Sequence, residues 1–275
     1  LVAPLDWGLG HATRCMVLIR ALIEAGHCVI LAGSGASLRL LREEFPTLTY
    51  AQLPAYDPEY PAKGSMVWEM MKQLPRFIRV IQAEQKVTDE LIRKYQVDCV
   101  IADNRYGCHS KRVKSIFITH QSNILMPKRF GLLSPLVRWV NEYVMKKFDQ
   151  CWVPDYPGDH SLAGKLISFG HSFPAARVHY IGSLSRFSKS EKAVEKTQNL
   201  LCVFSGPEPQ RSIFEALVVE QLKNYSGKVL IVRGLLPGYE QSPLNTHHHV
   251  VAYLTSAELQ LAIESSEIVL ARSGY

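Results

Sequence analysis

The stretch PLDWGLGHATR, Pro4 to Arg14, sets a histidine, His11, at the end of a glycine-rich turn and just before an amphipathic run. A glycine turn between a strand and a helix aims backbone N–H groups and the positive end of the helix dipole at whatever lies beyond it. That end disfavours an imidazolium, so His11 is set up as a neutral ring able to take a proton. Packing or capping at a helix start is the plainer role for such a residue. Asp103, in VDCVIADNRYG, closes an apolar run well downstream. If its strand neighbours the first, its carboxylate reaches His11, fixes the tautomer and strengthens the other ring nitrogen as a base. Asp103 suits a helix cap or an Asx turn before Asn104 and Arg105 equally well. FITHQSN repeats the theme, with His120, Gln121 and Asn123 following the next apolar run.

The second half carries a different chemistry. CVFSGPEPQRSIFEAL reads as a strand, a turn and a helix, with Ser205, Gly206, Glu208, Gln210 and Arg211 in the turn and helix start. VRG puts Arg233 at the next strand end, and LARSGY puts Arg272, Ser273 and Gly274 at the last. Glycine turns and arginines at successive strand ends form a cradle for a diphosphate. THHH (Thr246 to His249) has no acidic or cysteine partner nearby and reads as a solvated turn, so no metal site is expected.

These residues must be positioned by an alternation of short apolar runs and helix-period segments. Strands are expected at Leu1 to Pro4, Cys28 to Ala32, Thr49 to Leu53, Val97 to Ala102, Ser115 to Thr119, Gln150 to Val153 and Val178 to Ile181. Helices are expected at Ala12 to Ala25, Ser37 to Glu44, Met66 to Tyr95 with a break at Pro75, and Leu133 to Phe148. Such alternation predicts a parallel α/β sheet covered on both faces. The polar SLSRFSKSEKAVEKTQ then reads as a linker. Strands restart at Leu200 to Phe204, Val229 to Val232, Val250 to Ala252 and Ile268 to Leu270, with helices at Ile213 to Lys223 and Ser256 to Ser265. The organisation expected is a Rossmann-like domain over 1–184, a linker over 185–198 and a second Rossmann-like domain over 199–275. The last strand and turn lack a covering helix, so this second domain is expected to be incomplete. Two doubly wound sheets facing each other leave a cleft at their strand C-termini, where open α/β sheets bind ligands.

Composition narrows the classes. With 275 residues, 47% hydrophobic and 20% charged, the chain can bury full cores. Six scattered cysteines read as reduced packing residues rather than a disulfide framework. The absence of a long apolar segment or basic leader predicts a cytoplasmic location. A net charge of +6 suits phosphorylated substrates or anionic lipid, but no dense basic cluster interleaved with aromatics appears, so nucleic acid is not an expected partner. The opening turn lacks the third glycine and the acidic ribose ligand of a dinucleotide fold, and the Lys-Ser/Thr ending of a P-loop. In PKRFGLLSPLVRWVNEYVMKKF, Leu133, Leu136, Val137, Val140 and Val144 recur at helical spacing among Lys128, Arg129, Arg138, Lys146 and Lys147. Core packing on the sheet explains that stripe better than a membrane surface does.

Taken together, WGLGHATR, SGPEPQR and YLTSAELQLAIESSEIVLARSGY resemble, in order and spacing, the loops of glycosyltransferases of the GT-B fold. The likeness runs strongest to the enzymes that make lipid II from UDP-GlcNAc, while Asp6 and Trp7 depart from them and imply a different acceptor pocket, and ADNRYG looks more like the His/Asp pair of plant and bacterial small-molecule glycosyltransferases. The resemblance implies a metal-independent, inverting transfer with no cofactor, from a nucleotide-diphosphate sugar, UDP-linked as that likeness has it, to an acceptor hydroxyl. His11 and Asp103 would be catalytic. Asp6, Gly8, Gly10, Asn104, Arg105, His120, Gln121 and Asn123 would face the acceptor. Ser205, Gly206, Glu208, Gln210, Arg211, Arg233, Arg272, Ser273 and Gly274 would hold the donor. The acceptor expected is unidentified, with a lipid-linked precursor at the inner face of the cytoplasmic membrane among the options. Two other readings stand beside it: a non-hydrolysing UDP-GlcNAc 2-epimerase, and an inactive sugar-nucleotide-binding protein.

Overall fold

In the computed structural model, residues 1–59, 66–126, 128–188, 190–191, 193–206, 208–235 and 243–272 are described. Seven parallel strands form the first sheet: β1 (Val2–Pro4), β2 (Ile30–Gly33), β3 (Thr49–Gln52), β4 (Cys99–Asp103), β5 (Lys114–Ile118), β6 (Gln150–Val153) and β7 (Val178–Tyr180), in the order β3-β2-β1-β4-β5-β6-β7. The order reverses at β1, the switch point where doubly wound sheets take ligands. There β1 pairs with β4 so that Pro4 lies opposite Asp103.

Strand residues alternate between the two faces. Ala3, Ala32, Ala102, Phe117 and Cys151 pack under α3 (Met66–Tyr95) and α4 (Ser134–Met145), through Leu91, Ile92 and Met145. Val2, Leu31, Ile101 and Ile116 meet Ala12, Cys15, Met16 and Ile19 of α1 (Leu9–Glu24) and Leu38, Leu40 and Leu41 of α2 (Gly35–Glu44). Apolar burial on both sides is what makes such strands read as continuous apolar runs.

The second sheet has the parallel order β10-β9-β8-β11, from β8 (Gln198–Val203), β9 (Val229–Val232), β10 (His249–Val251) and β11 (Ser266–Ala271). Its helices are α5 (Gln210–Gln221) and α6 (Ser256–Glu264). Thr255 and Glu258 form a reciprocal capping box that sets the start of α6. The segment before β8 is tied to α6, with Ser190 Oγ donating to Glu264 Oε2 at 2.6 Å and Lys196 Nζ to the Glu264 carbonyl at 2.8 Å.

Three differences from the sequence reading have physical causes. First, α1 begins at Leu9, because Gly8 (φ 97°) makes the turn and Gly10 and His11 already lie in the first helical turn. Second, α3 runs unbroken through Pro75. Third, α4 buries Asn141, Glu142 and Met145, while Leu136, Trp139, Val140 and Tyr143 are exposed, so core packing does not account for its apolar stripe. Buried Asn141 instead holds the Ser122 carbonyl at 2.7 Å and accepts from Tyr106 at 2.8 Å.

Candidate functional site

The site starts where β1 and β4 end. Asp103 is fully buried, and His11, in the first turn of α1, brings Nδ1 to 3.0 Å from Asp103 Oδ1. Arg14 lies one further turn along the same helix face. It donates from Nε to Asp103 Oδ2 at 2.5 Å and from Nη2 to Oδ1. The Cys15 thiol adds a contact to Oδ2 at 3.5 Å. Burial alone would raise the Asp103 carboxyl, but the Arg14 guanidinium and the hydrogen bonds from His11 and Arg14 hold it well below the ordinary carboxylate range. Burial and the Asp103 charge push the Cys15 thiol up, so it stays protonated.

His120 joins this group from the loop after β5. Its Nδ1 lies 2.5 Å from Arg14 Nη1, and its ring centroid is 6.0 Å from that of His11. Burial first, and the Arg14 charge second, hold His120 down at about 4. Arginine was missed in the sequence, although its place three residues after His11 puts both on one helix face.

Other residues expected at the acceptor side have varied surroundings. Asp6 accepts from the Ser37 backbone N–H at 3.0 Å and presses on Gly35, where a Cβ would lie 1.7 Å from Asp6 Oδ2. Asn104 sits at φ 53° with its N–H on the Ile118 carbonyl, and Gln121 N–H bonds Thr119 Oγ1. The Asn123 amide donates to the Lys165 carbonyl at 3.0 Å, tying two loops together. Arg105 is a correction. Rather than facing a substrate, it is fully buried and committed to the Pro4 and Pro54 carbonyls, Ser34 Oγ and Glu84, which Tyr56 also holds. An unexpected feature is Trp7, which packs on Phe77 and Tyr56 and has a buried Nε1 with no hydrogen-bond partner among the described residues.

Facing this edge is the loop after β8. A cleft of about 560 Å³ is lined by residues 6–9, Ala36, residues 57–59 and Arg76 of the first domain, and by Ser205, Gly206, Glu208, Arg211, Gly234 and Leu235 of the second. That volume is within the range of small-molecule sites. Gly206 has φ 109°, and a Cβ there would lie 2.8 Å from Arg272 Nη1, so the glycine and that exposed guanidinium meet at the cleft.

Arg211, which lines the cleft, and Arg233 are also engaged by acidic residues of their own sheet's elements. Both bracket buried Glu215, Arg211 through Nη1 at 3.0 Å and Arg233 through Nε and Nη2 at 2.8 Å each, and Arg211 also holds Glu208 at 2.6 Å. Their charge is thereby balanced within the second domain, and Glu215 was not anticipated. Gln210 opens α5 beside them. Ser273 and Gly274 lie outside the described residues. His247 and His248 approach the Tyr225 and Leu222 carbonyls at 3.3 and 3.1 Å, so this turn seals the end of α5.

No family model matches the chain. It is 26% identical over 225 residues to a protein of Methanosarcina acetivorans described as an uncharacterized glycosyltransferase, covering 77% of this chain but 56% of that one. A second such protein of the same organism is 23% identical over 284 residues, covering 98% and 72%. Among solved structures, the spinosyn rhamnosyltransferase SpnG aligns at TM-score 0.56 and 15% identity over 99% of this chain and 75% of that one, and it is also known complexed with thymidine diphosphate. The glycosyltransferase SnogD of Streptomyces nogalater and the calicheamicin glycosyltransferase CalG4 align in this way too, at TM-scores of 0.52 and 0.56 and 12% identity each, over 98% of this chain and 74% of theirs. With its seven-stranded and four-stranded parallel sheets facing a cleft, the chain has the GT-B fold of these glycosyltransferases.

Proposed function

We propose that the chain performs glycosyl transfer from a nucleotide-diphosphate sugar to an acceptor hydroxyl, with inversion and without a metal ion. The observation that carries this reading is the 3.0 Å contact of buried Asp103 with Nδ1 of His11, two residues beyond Leu9, the last residue of the 6–9 segment that lines the cleft. With Nδ1–H donating to Asp103, Nε2 is left to accept the proton of the acceptor hydroxyl. The acceptor oxygen bonds to the anomeric carbon from the side opposite the diphosphate. The bond between that carbon and the phosphate oxygen breaks, and its electron pair leaves on the diphosphate. A single displacement inverts the anomeric centre. The departing charge would be met by the backbone at Ser205 and Gly206, the N-terminus of α5 and Arg272.

The names of the sequence relatives support transfer, and thymidine diphosphate in SpnG supports a nucleoside diphosphate. UDP-linked N-acetylglucosamine and a lipid-linked acceptor are the finer options, to be tested beside dTDP-sugars. Nucleoside diphosphates should raise the melting temperature, and release of diphosphate from the correct donor should require an acceptor and survive EDTA. Interconversion of UDP-sugars without an acceptor would establish the epimerase reading, and binding without turnover would establish the inactive one.

Peripheral attachment to an anionic bilayer at the inner face of the cytoplasmic membrane fits one further observation. Among the described residues no helix is long and apolar enough to cross a membrane. Yet Leu132, Leu136, Trp139, Val140 and Tyr143 are exposed, with Lys147 close to the Tyr143 ring. Apolar side chains rimmed by lysine suit an interfacial surface. Co-sedimentation should be stronger with anionic than with neutral liposomes and weaker for Trp139→Ser; equal binding contradicts attachment.

A further inference from the structure

His11 Nδ1 lies 3.0 Å from Asp103 Oδ1 and 2.8 Å from Arg14 Nη2. A carboxylate only accepts and a guanidinium only donates, so this one nitrogen cannot satisfy both. His120 has no such ambiguity. Its Nδ1 faces Arg14 Nη1 at 2.5 Å, and a nitrogen facing a guanidinium N–H must be bare.

We propose that Arg14 is a positioning residue that sorts the two histidines into opposite roles: its donation to His120 Nδ1 fixes His120 as a neutral Nε2–H donor, and its fork on Asp103 holds the carboxylate that makes His11 the proton acceptor. The inference rests on the glycosyl-transfer reading only for the role of His11. An acceptor substrate would then meet one ring that gives a hydrogen bond and one that takes a proton. Two equivalent neutral histidines would leave that assignment to chance, and two protonated ones would leave no base. One fixed cation between the rings prevents both outcomes.

Among the described residues, the charged or titratable groups acting on His120 include Arg14 and His11 from α1 and Asp103 from β4. Burial lowers His120 most, Arg14 and then His11 lower it further, and Asp103 raises it. Removing the guanidinium should therefore raise the His120 midpoint by about one pH unit, with burial keeping it below that of a free imidazole.

The test is nitrogen-15 NMR of the histidine rings in the full chain, titrated between pH 4 and 8. In the wild-type protein His120 should carry its proton on Nε2 and stay neutral until the pH falls below about 5. Arg14→Gln, which keeps an amide donor for Asp103 but no charge, should move the midpoint up. Arg14→Lys, which keeps the charge, should leave it low. A wild-type proton on His120 Nδ1, or the same midpoint in wild type and Arg14→Gln, overturns the proposal. Because the wild-type tautomer is decisive alone, a variant that fails to fold leaves the proposal open to refutation. A wild-type His11 found as the Nε2–H tautomer would overturn the sorting into opposite roles and count against His11 as the base, whereas a failure confined to His120 would leave the glycosyl-transfer reading standing.

Discussion

Asp103 accepts from an imidazole, a guanidinium fork and a thiol while shielded from solvent, so its ionised form is favoured throughout the neutral range. His120 next to it is held neutral to about 4, against about 6.5 for a free histidine. In the unfolded chain this histidine takes a proton as the pH falls through 6.5, whereas the folded chain does so only near 4. Stability from this residue is therefore complete above about 6.5 and declines as the pH drops to 4, by about 3 kcal/mol. The depressed Asp103 acts lower, its contribution being lost only as the pH falls from its unfolded value near 3.9 toward its folded one. Urea midpoints measured from pH 7 to 4.5 should fall for wild type and fall less for His120→Gln; parallel slopes would contradict the assignment. At this scale the sequence showed His11 and Asp103, because both sit at the C-terminal ends or exits of strands, where such sheets place chemistry. It did not show that Arg105 is scaffold, since its partners Pro4, Ser34, Pro54 and Glu84 come from four separate segments.

Elements fix the proposed donor side. The loop from β8 to α5 turns at Gly206, and β9 and β11 flank β8, which brings Arg233 and Arg272 to either side of that loop. The alternation of strands and helices was legible, as was the order of the motifs. The commitment of Arg211 and Arg233 to Glu215 was not, because α5 places Glu215 one turn beyond Arg211 and β9 delivers Arg233 from another element. Gly206→Ala combines a positive φ with a methyl group 2.8 Å from Arg272 Nη1. It should cost about 1 kcal/mol of stability or somewhat more, and displace Arg272. Calorimetry should show nucleoside diphosphate affinity falling about tenfold, the scale of one charge-assisted hydrogen bond. Unchanged affinity would remove this loop from the donor site.

Across the whole molecule, the two sheets are held together away from the cleft. Tyr253 packs on the α1 and α2 face of the first domain, and Ser256 Oγ reaches Glu44 Oε2 at 3.4 Å, next to the ion pair of Glu44 with Arg20. This contact brings the loop of Ser205 and Gly206 opposite residues 6–9 while leaving His11 in the other domain. The proposed base and the proposed donor site thus lie on separate sheets, and a change at one should spare the other. The most direct test is a double-mutant cycle of His11→Ala and Asp103→Asn, with turnover and nucleotide affinity measured on folded protein. Each single change should lower turnover, His11→Ala by about 100- to 10,000-fold, and the double variant should be no worse than His11→Ala, while nucleotide affinity stays within about twofold. Near-normal turnover of His11→Ala, or losses that multiply in the double variant, would contradict the account.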